Sequence, residues 1–271
     1  MSVYTEPEEA IRRAVLSILR QTFTDFELIL VNDNPESEET RNILKNLSTE
    51  DSRIRVITNE KNSGLGYALN VAAKEARADL VARMDTEDVS DPDRLEKQVA
   101  YMRAHADVDL LFTQWIDVDE EGEETHRLPT KKDVRNIKKT FFTKSLLMHP
   151  TLVARTEVLR HNPYPEMARP EDIVLWLRLM RAGHTFDILE EPLYRYCADR
   201  IDIHKRHAKT KAGSRNLLPH LAREMRHYWY NIYFWLYFFR TIGEYLASRN
   251  RFIFKVVYTS AIRLWKRVFG A

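Results

Sequence analysis

Apolar positions along the first 200 residues switch between two periods. Ile11, Ala14, Val15, Ile18 and Leu19 recur at helical spacing behind Thr5-Glu6-Pro7-Glu8, where Glu8 follows Thr5 as in a capping box, so the pattern predicts a helix from about Pro7 to Gln21. Phe26-Glu27-Leu28-Ile29-Leu30-Val31 is a short run rich in β-formers that stops at Asn32-Asp33-Asn34-Pro35, as a buried strand does. The alternation continues with a polar helix near 37–48, a strand Ile54–Thr58, a helix over 65–77 with Leu65, Leu69, Ala72, Ala73 and Ala76 inward, and a strand Asp79–Met84. Asp91-Pro92 suits the first two positions of a helix carrying Leu95, Val99 and Met102, which leads to a strand Val108–Ile116 and an acidic turn at 117–124. Leu147–Ala154 is predicted as a strand, Asp172–Arg181 as a helix, and His184–Leu189 as a strand ending at Glu190-Glu191-Pro192. Strands and helices taking turns imply an α/β fold, a mixed, mostly parallel sheet flanked by helices, in a body that closes near residue 200. In such sheets ligands gather at the carboxyl ends of the strands, where Asp33 and the acids from Asp85 to Asp88 fall.

Charge divides the chain at the same place. The formal net charge is +2, yet residues 201–271 carry 14 Lys/Arg against Asp202, Glu224 and Glu244 only, leaving an acidic body of residues 1–200 and a basic tail. Basic tails meet phosphate-rich surfaces. The tail is predicted to be helical, with a dense aromatic run over 227–239 and then Phe252, Ile253, Phe254, Val256, Val257 and Trp265 among Arg251, Lys255, Arg263, Lys266 and Arg267. Thirteen residues are too few to span a bilayer, which takes about 20. The mixture suits peripheral association with a membrane interface through 227–271, and the alternative is a helical hairpin packed on the body or on a second subunit. No nucleic-acid motif is present, so nucleic acid is not expected as a partner. A lone Cys197 and the absence of a visible signal sequence point to the cytoplasm.

Asp85, Glu87 and Asp88 directly follow an apolar strand. Hard divalent cations need oxygen ligands, and Mg²⁺ or Mn²⁺ bridging a diphosphate often uses only one or two protein carboxylates. The same spacing fits a solvated acidic turn. Ala82-Arg83-Met84-Asp85-Thr86-Glu87-Asp88-Val89-Ser90-Asp91-Pro92-Asp93-Arg94-Leu95 resembles the signature of the family 2 glycosyltransferases. Residues 16–23, 26–33 and Asn62-Ser63-Gly64-Leu65-Gly66-Tyr67-Ala68-Leu69-Asn70 resemble its other blocks in the same order, over roughly residues 1–200. The resemblance implies a GT-A fold, a nucleotide-sugar donor (most often a UDP-sugar), an inverting single displacement and a divalent cation. It places Asp33 on the uracil ring, Ser2 and Tyr4 beside the nucleoside, Asn62, Gly64, Asn70 and Arg83 on the donor side, Asp85 on ribose or metal, and Glu87 as the main metal ligand. Two positions depart from the pattern: Glu87 stands where Asp is usual, and Asn32 where Asp is common.

Pro170-Glu171-Asp172-Ile173 resembles the block that begins the helix beside the acceptor. Direct attack by a sugar hydroxyl needs a carboxylate to take its proton, which makes Asp172 the candidate base and Glu171 the second choice. Acids also favour a helix N-terminus with no catalytic task. His149 is a candidate contact to acceptor or diphosphate, and Trp176 either a sugar platform or core packing. No Gln-x-x-Arg-Trp occurs, which fits transfer of one or a few sugars to a saccharide or lipid-linked acceptor. Family members start with a longer first strand, whereas Met1-Ser2-Val3-Tyr4 is all that remains here, as expected of a start codon placed too far downstream or of a trimmed chain. Each backbone group so left buried and unpaired would cost about 1–3 kcal/mol. The competing readings are a sugar-nucleotide nucleotidyltransferase, whose Gly-rich basic loop has no counterpart in Thr5-Glu6-Pro7-Glu8-Glu9, and a catalytically silent membrane- or nucleotide-binding module.

Overall fold

The computed structural model describes residues 1–119, 122–127, 141, 147–167, 169–197, 203–229 and 231–247. Leu28–Asn32 forms β2, buried at all five positions, and lies between β1 (Ser2–Val3) and β3 (Ile54–Thr58) in a parallel sheet with Val3 opposite Asn32 and Leu28 opposite Ile54. Its side chains alternate between two layers, as strand geometry requires. Leu28 and Leu30 pack with Ile11, Val15 and Ile18 of α1 (Glu8–Leu19) and Leu44 and Leu47 of α2 (Glu38–Glu50), whereas Ile29 and Val31 meet Ala68 of α3 (Leu65–Glu75). Helix α1 starts one residue later than expected and without the capping box: Pro7 caps it, with no side-chain bond.

The second sheet runs β4 (Leu80–Ala82), β8 (Val153–Arg155), β6 (Leu110–Val118), β9 (Phe186–Cys197) and β5 (Val89–Ser90), with β7 (Glu124–Arg127) paired to β6. Only β6 and β9 are parallel; every other pairing in it is antiparallel. The expected acidic turn at 117–124 is shorter, because β6 continues to Val118 and turns back into β7. Strand β9 passes through Pro192 instead of ending there, since the pairing with β6 shifts register between Thr113 and Ile116 and so accommodates a residue without an N–H. Over 147–154 a 3-10 turn at His149–Thr151 precedes the short β8, and a helix, α5 (Thr156–His161), follows.

The two sheets flank a cavity of about 790 Å³ lined by Leu28, Ile29, Leu80, Val81, Arg83 and Arg94 among others. Strand β1 is an edge strand of the first sheet, not a central one, and the Met1 amine at the cavity wall donates to the Ile29 carbonyl at 2.8 Å. Across the second sheet, α4 (Arg94–Ala104) sends Met102 to Leu111 and Val153, and α6 (Glu171–Ala182) builds the largest apolar cluster with Trp176, Leu175, Leu179 and Phe112. The tail begins as two helices, α7 (Ile203–Tyr228) and α8 (Ile232–Ala247). Leu217, Leu221, Tyr228, Phe234 and Tyr237 enter that same cluster, so the inner face of the aromatic run packs on the body. The basic and aromatic residues after 247 lie outside the described residues.

Gly66 sets the spacing between α3 and the 162–170 loop, because a Cβ there would meet the Pro165 carbonyl oxygen at 3.0 Å and the Tyr164 Cβ at 3.4 Å. Gly66→Ala is expected to destabilise by overpacking, which costs about 1–3 kcal/mol, despite a better helix propensity of about 1 kcal/mol. Calorimetry should find a lower Tm; an unchanged or higher Tm would mean that the loop yields without cost.

Candidate active site

The end of β2 supplies Asp33, whose buried carboxylate accepts from Asn59 Nδ2 (2.8 Å), Ser63 N (3.0 Å) and Gly64 N (2.8 Å). Asp33 therefore shapes the Asn59–Gly64 loop, in which Asn62 Oδ1 also accepts from Gly64 N, and Gly64 at φ 85° opens α3. A positive φ there suits glycine. Tyr4 is 43% exposed beside this loop end and its carbonyl accepts from Asn34 Nδ2, while Ser2 lies one residue short of the β1 end. Asn70 has a different task from the one expected of it. Its amide bonds both ways to the Tyr164 backbone, Nδ2 to the carbonyl at 2.9 Å and Oδ1 from the N–H at 2.7 Å, so it ties α3 to the 162–170 loop instead of facing a donor.

Beyond β4 the chain turns through Arg83 to Asp88. Arg83 is buried and grips Asp85 with both terminal nitrogens, at 2.5 and 2.7 Å, whereas Asp85 keeps 31% of its side chain exposed. Glu87 is exposed and its carbonyl accepts from Arg13. Asp88 points the other way: it is fully buried, accepting from the Tyr194 hydroxyl at 2.7 Å and Cys197 N at 2.8 Å. Burial first, then the charge of Asp85, raises its pKa to about 7 against those two bonds. Among the described residues no three His, Cys, Asp or Glu side chains form a metal cage. What the turn offers is two solvent-reached carboxylates, Asp85 and Glu87, a donor set that fits a hard divalent cation taking its other oxygens from phosphate and water.

On the opposite wall, Glu171 and Asp172 open α6 behind Pro170, and Asp172 Oδ1 accepts from Ile173 N at 2.8 Å. Both carboxyls are pushed above the ordinary range by burial, Glu171 further by the charge of Asp172, and the Arg83 cation pulls both back. Arg83 thus pairs with Asp85 while its charge also lowers the carboxyls of Asp88, Glu171 and Asp172, so one buried guanidinium bears on both the acidic turn and the start of α6. His149 lies behind this wall, bonded through Nε2 to the Tyr164 hydroxyl at 2.9 Å. Burial, then Arg83, holds its pKa well below the usual value, so it is neutral and offers no cation to a diphosphate. Trp176 is 1% exposed, edge-on to Phe112 at 5.3 Å and to His149 at 5.7 Å. It is core and cannot serve as a sugar platform.

Sequence reasoning missed Tyr194, Arg94 and Tyr164, which hold this wall from behind. The alternation of Leu193-Tyr194-Arg195-Tyr196 marks a strand past Pro192 and was the available signal for Tyr194; nothing local marks Arg94 as buried.

The model of a family described as Glycosyl transferase family 2 matches residues 1–161. The chain is 36% identical over 262 residues to an uncharacterized glycosyltransferase of Methanocaldococcus jannaschii, covering 95% of this chain and 90% of the relative. It is 34% identical to the amylovoran biosynthesis glycosyltransferase AmsE of Erwinia amylovora, over 76% of this chain and 77% of that one. Among solved structures it is similar to S. aureus TarS 1-349 in complex with UDP, at TM-score 0.59 and 21% identity, covering 80% of this chain and 64% of that chain.

Proposed function

The chain belongs to glycosyl transferase family 2, and from that premise we propose that it moves a sugar from a UDP-sugar to a hydroxyl of a saccharide or lipid-linked saccharide, by inverting displacement, in the synthesis of a cell-surface glycan. It is a glycosyltransferase with a GT-A fold and has a relative in polysaccharide biosynthesis. The observation that carries the finer reading is the buried Arg83 guanidinium, which pairs with the partly exposed Asp85 of the acidic turn and whose charge also lowers the raised carboxyls of Glu171 and Asp172. An acid held above its usual pKa is a stronger base once ionised, which suits Asp172 for taking the proton of the attacking hydroxyl. Arg83 keeps Asp85 oriented and favours the ionised form of Asp172 that the reaction needs. Asp33 fixes the loop that would bound the nucleoside, and its Oδ2, with one bond from Gly64, retains a lone pair for a base N–H. A divalent cation held by Asp85 and Glu87 would supply positive charge against the departing diphosphate.

The acceptor side carries a membrane reading. Leu236, Phe239 and Leu246 are exposed on one face of α8, and Trp229 is 70% exposed just before it. No described helix is long and apolar enough to cross a membrane, so this face would lie in the interface beside a lipid-linked acceptor. Pelleting with anionic vesicles tests that part. The donor reading is tested by thermal shift: UDP with Mn²⁺ should raise Tm by mass action more than GDP or Mn²⁺ alone does. Equal shifts would remove the uridine assignment, and none with any nucleotide would favour a silent module.

A further inference from the structure

Three acids stand in the turn after β4, and only two of them face solvent. The third is held by a phenol and a backbone N–H. Tyr194 is fully buried on β9; its hydroxyl accepts from Asp85 N at 3.3 Å and donates to Asp88 Oδ2 at 2.7 Å. Asp88 Oδ1 accepts from Cys197 N at 2.8 Å, which closes a ring between the acidic turn and the end of β9. Arg94, also fully buried, lies 5.0 Å from the centre of the Tyr194 ring and donates from Nη2 to the Arg83 carbonyl at 2.8 Å and from Nε to Gln98 at 2.9 Å. The turn is thereby held at Arg83 O, Asp85 N and the Asp88 carboxylate, while the Asp85 side chain, paired with Arg83, stays partly exposed and that of Glu87 is exposed.

A phenylalanine would fill the same space, so packing alone does not explain a hydroxyl with both bonds on the acidic turn. Burying an O–H is unfavourable unless it is bonded, and here both its partners flank the proposed metal-holding residues. Resting on the glycosyl-transfer reading above, we propose that Tyr194 is a positioning residue for cation binding: through Asp85 N and Asp88 it holds Asp85 and Glu87 in a preformed pair. Asp88 is the anchor of that arrangement and not a ligand. Groups behind metal ligands typically alter affinity by about 10–100-fold when removed.

The test titrates Mn²⁺ into the whole chain with UDP present, following free Mn²⁺ by electron paramagnetic resonance, in the native protein, Tyr194→Phe and Asp88→Asn. Asp88→Asn keeps an acceptor for Cys197 N but offers the Tyr194 proton a donor nitrogen. In both variants the Mn²⁺ Kd should rise about 10-fold, with kcat at saturating Mn²⁺ falling by less than that factor and Tm within about 2–4 °C of native. A merely structural hydroxyl would shift Tm and leave the Kd alone. Should Tyr194→Phe fail to melt cooperatively, Asp88→Asn decides. Native affinity in a folded variant overturns the role of Tyr194 while leaving glycosyl transfer intact, whereas a native protein that binds no Mn²⁺ with UDP and turns over no nucleotide-sugar overturns both.

Discussion

Asp172→Asn is expected to lower sugar transfer by about 10²–10⁴-fold, the usual contribution of a positioned general base. The amide keeps the oxygen that accepts from Ile173 N but cannot take a proton, so the loss is chemical and not conformational. Stability should move the other way. Because burial raises the pKa of Asp172, the folded state binds its proton more tightly than the unfolded state does. The stability this gives is present below the unfolded carboxylate value and is lost as pH rises through the folded one. Above the unfolded value that stability is progressively lost, whereas an amide has no charge to bury, and Asp172→Asn should melt at neutral pH at the native temperature or above it. The native rate should climb with pH through an acid limb above the ordinary aspartate range. Glu171→Gln is the control: if it abolishes transfer while Asp172→Asn does not, the two acids exchange roles.

The second large effect separates the two outward acids. Asp85→Asn would leave Arg83, 5% exposed, without its charge partner. Breaking a fully buried pair costs about 3–5 kcal/mol; with Asp85 31% exposed the cost here should be nearer about 2 kcal/mol, together with loss of turnover. Glu87→Gln, on an exposed side chain, should leave stability within about 0.5 kcal/mol and still reduce turnover by about 10²-fold, the rate equivalent of losing about 3 kcal/mol of charge stabilisation. Paired melting and rate measurements on the two variants check this. Equal stability losses would mean that Arg83 and Asp85 are not coupled as the geometry indicates.

Much of the fold was legible because the central strand of the first sheet is buried on both faces. The run Leu28–Asn32 has no polar interruption until Asn32, and α1 and α2 declare their inward faces by spacing alone. Features set by partners distant in sequence were not legible. Strand β9 survives Pro192 only because β6 shifts register opposite it. Asn70 looked like a donor contact because nothing local reveals that the Tyr164 backbone, far along the chain, occupies its amide. Asp88 looked like its neighbours, yet the turn directs it inward to Tyr194. Trp176 and His149 were ambiguous by composition and are resolved by burial. The acidic cluster alone would have supported either a metal site or a solvated turn; its division into a partly exposed Asp85, an exposed Glu87 and a buried Asp88 is visible only in three dimensions.

The central claim is that Asp85 and Glu87 serve the donor and Asp172 the acceptor in one transfer reaction. It is tested most directly by following nucleoside diphosphate release from a panel of nucleotide-sugars, with a saccharide acceptor and Mn²⁺, in the native protein, Glu87→Gln and Asp172→Asn. The account predicts release from a UDP-sugar that EDTA stops and that both substitutions suppress. Native-rate release by Asp172→Asn, or no release from any nucleotide-sugar by the native protein, would contradict it.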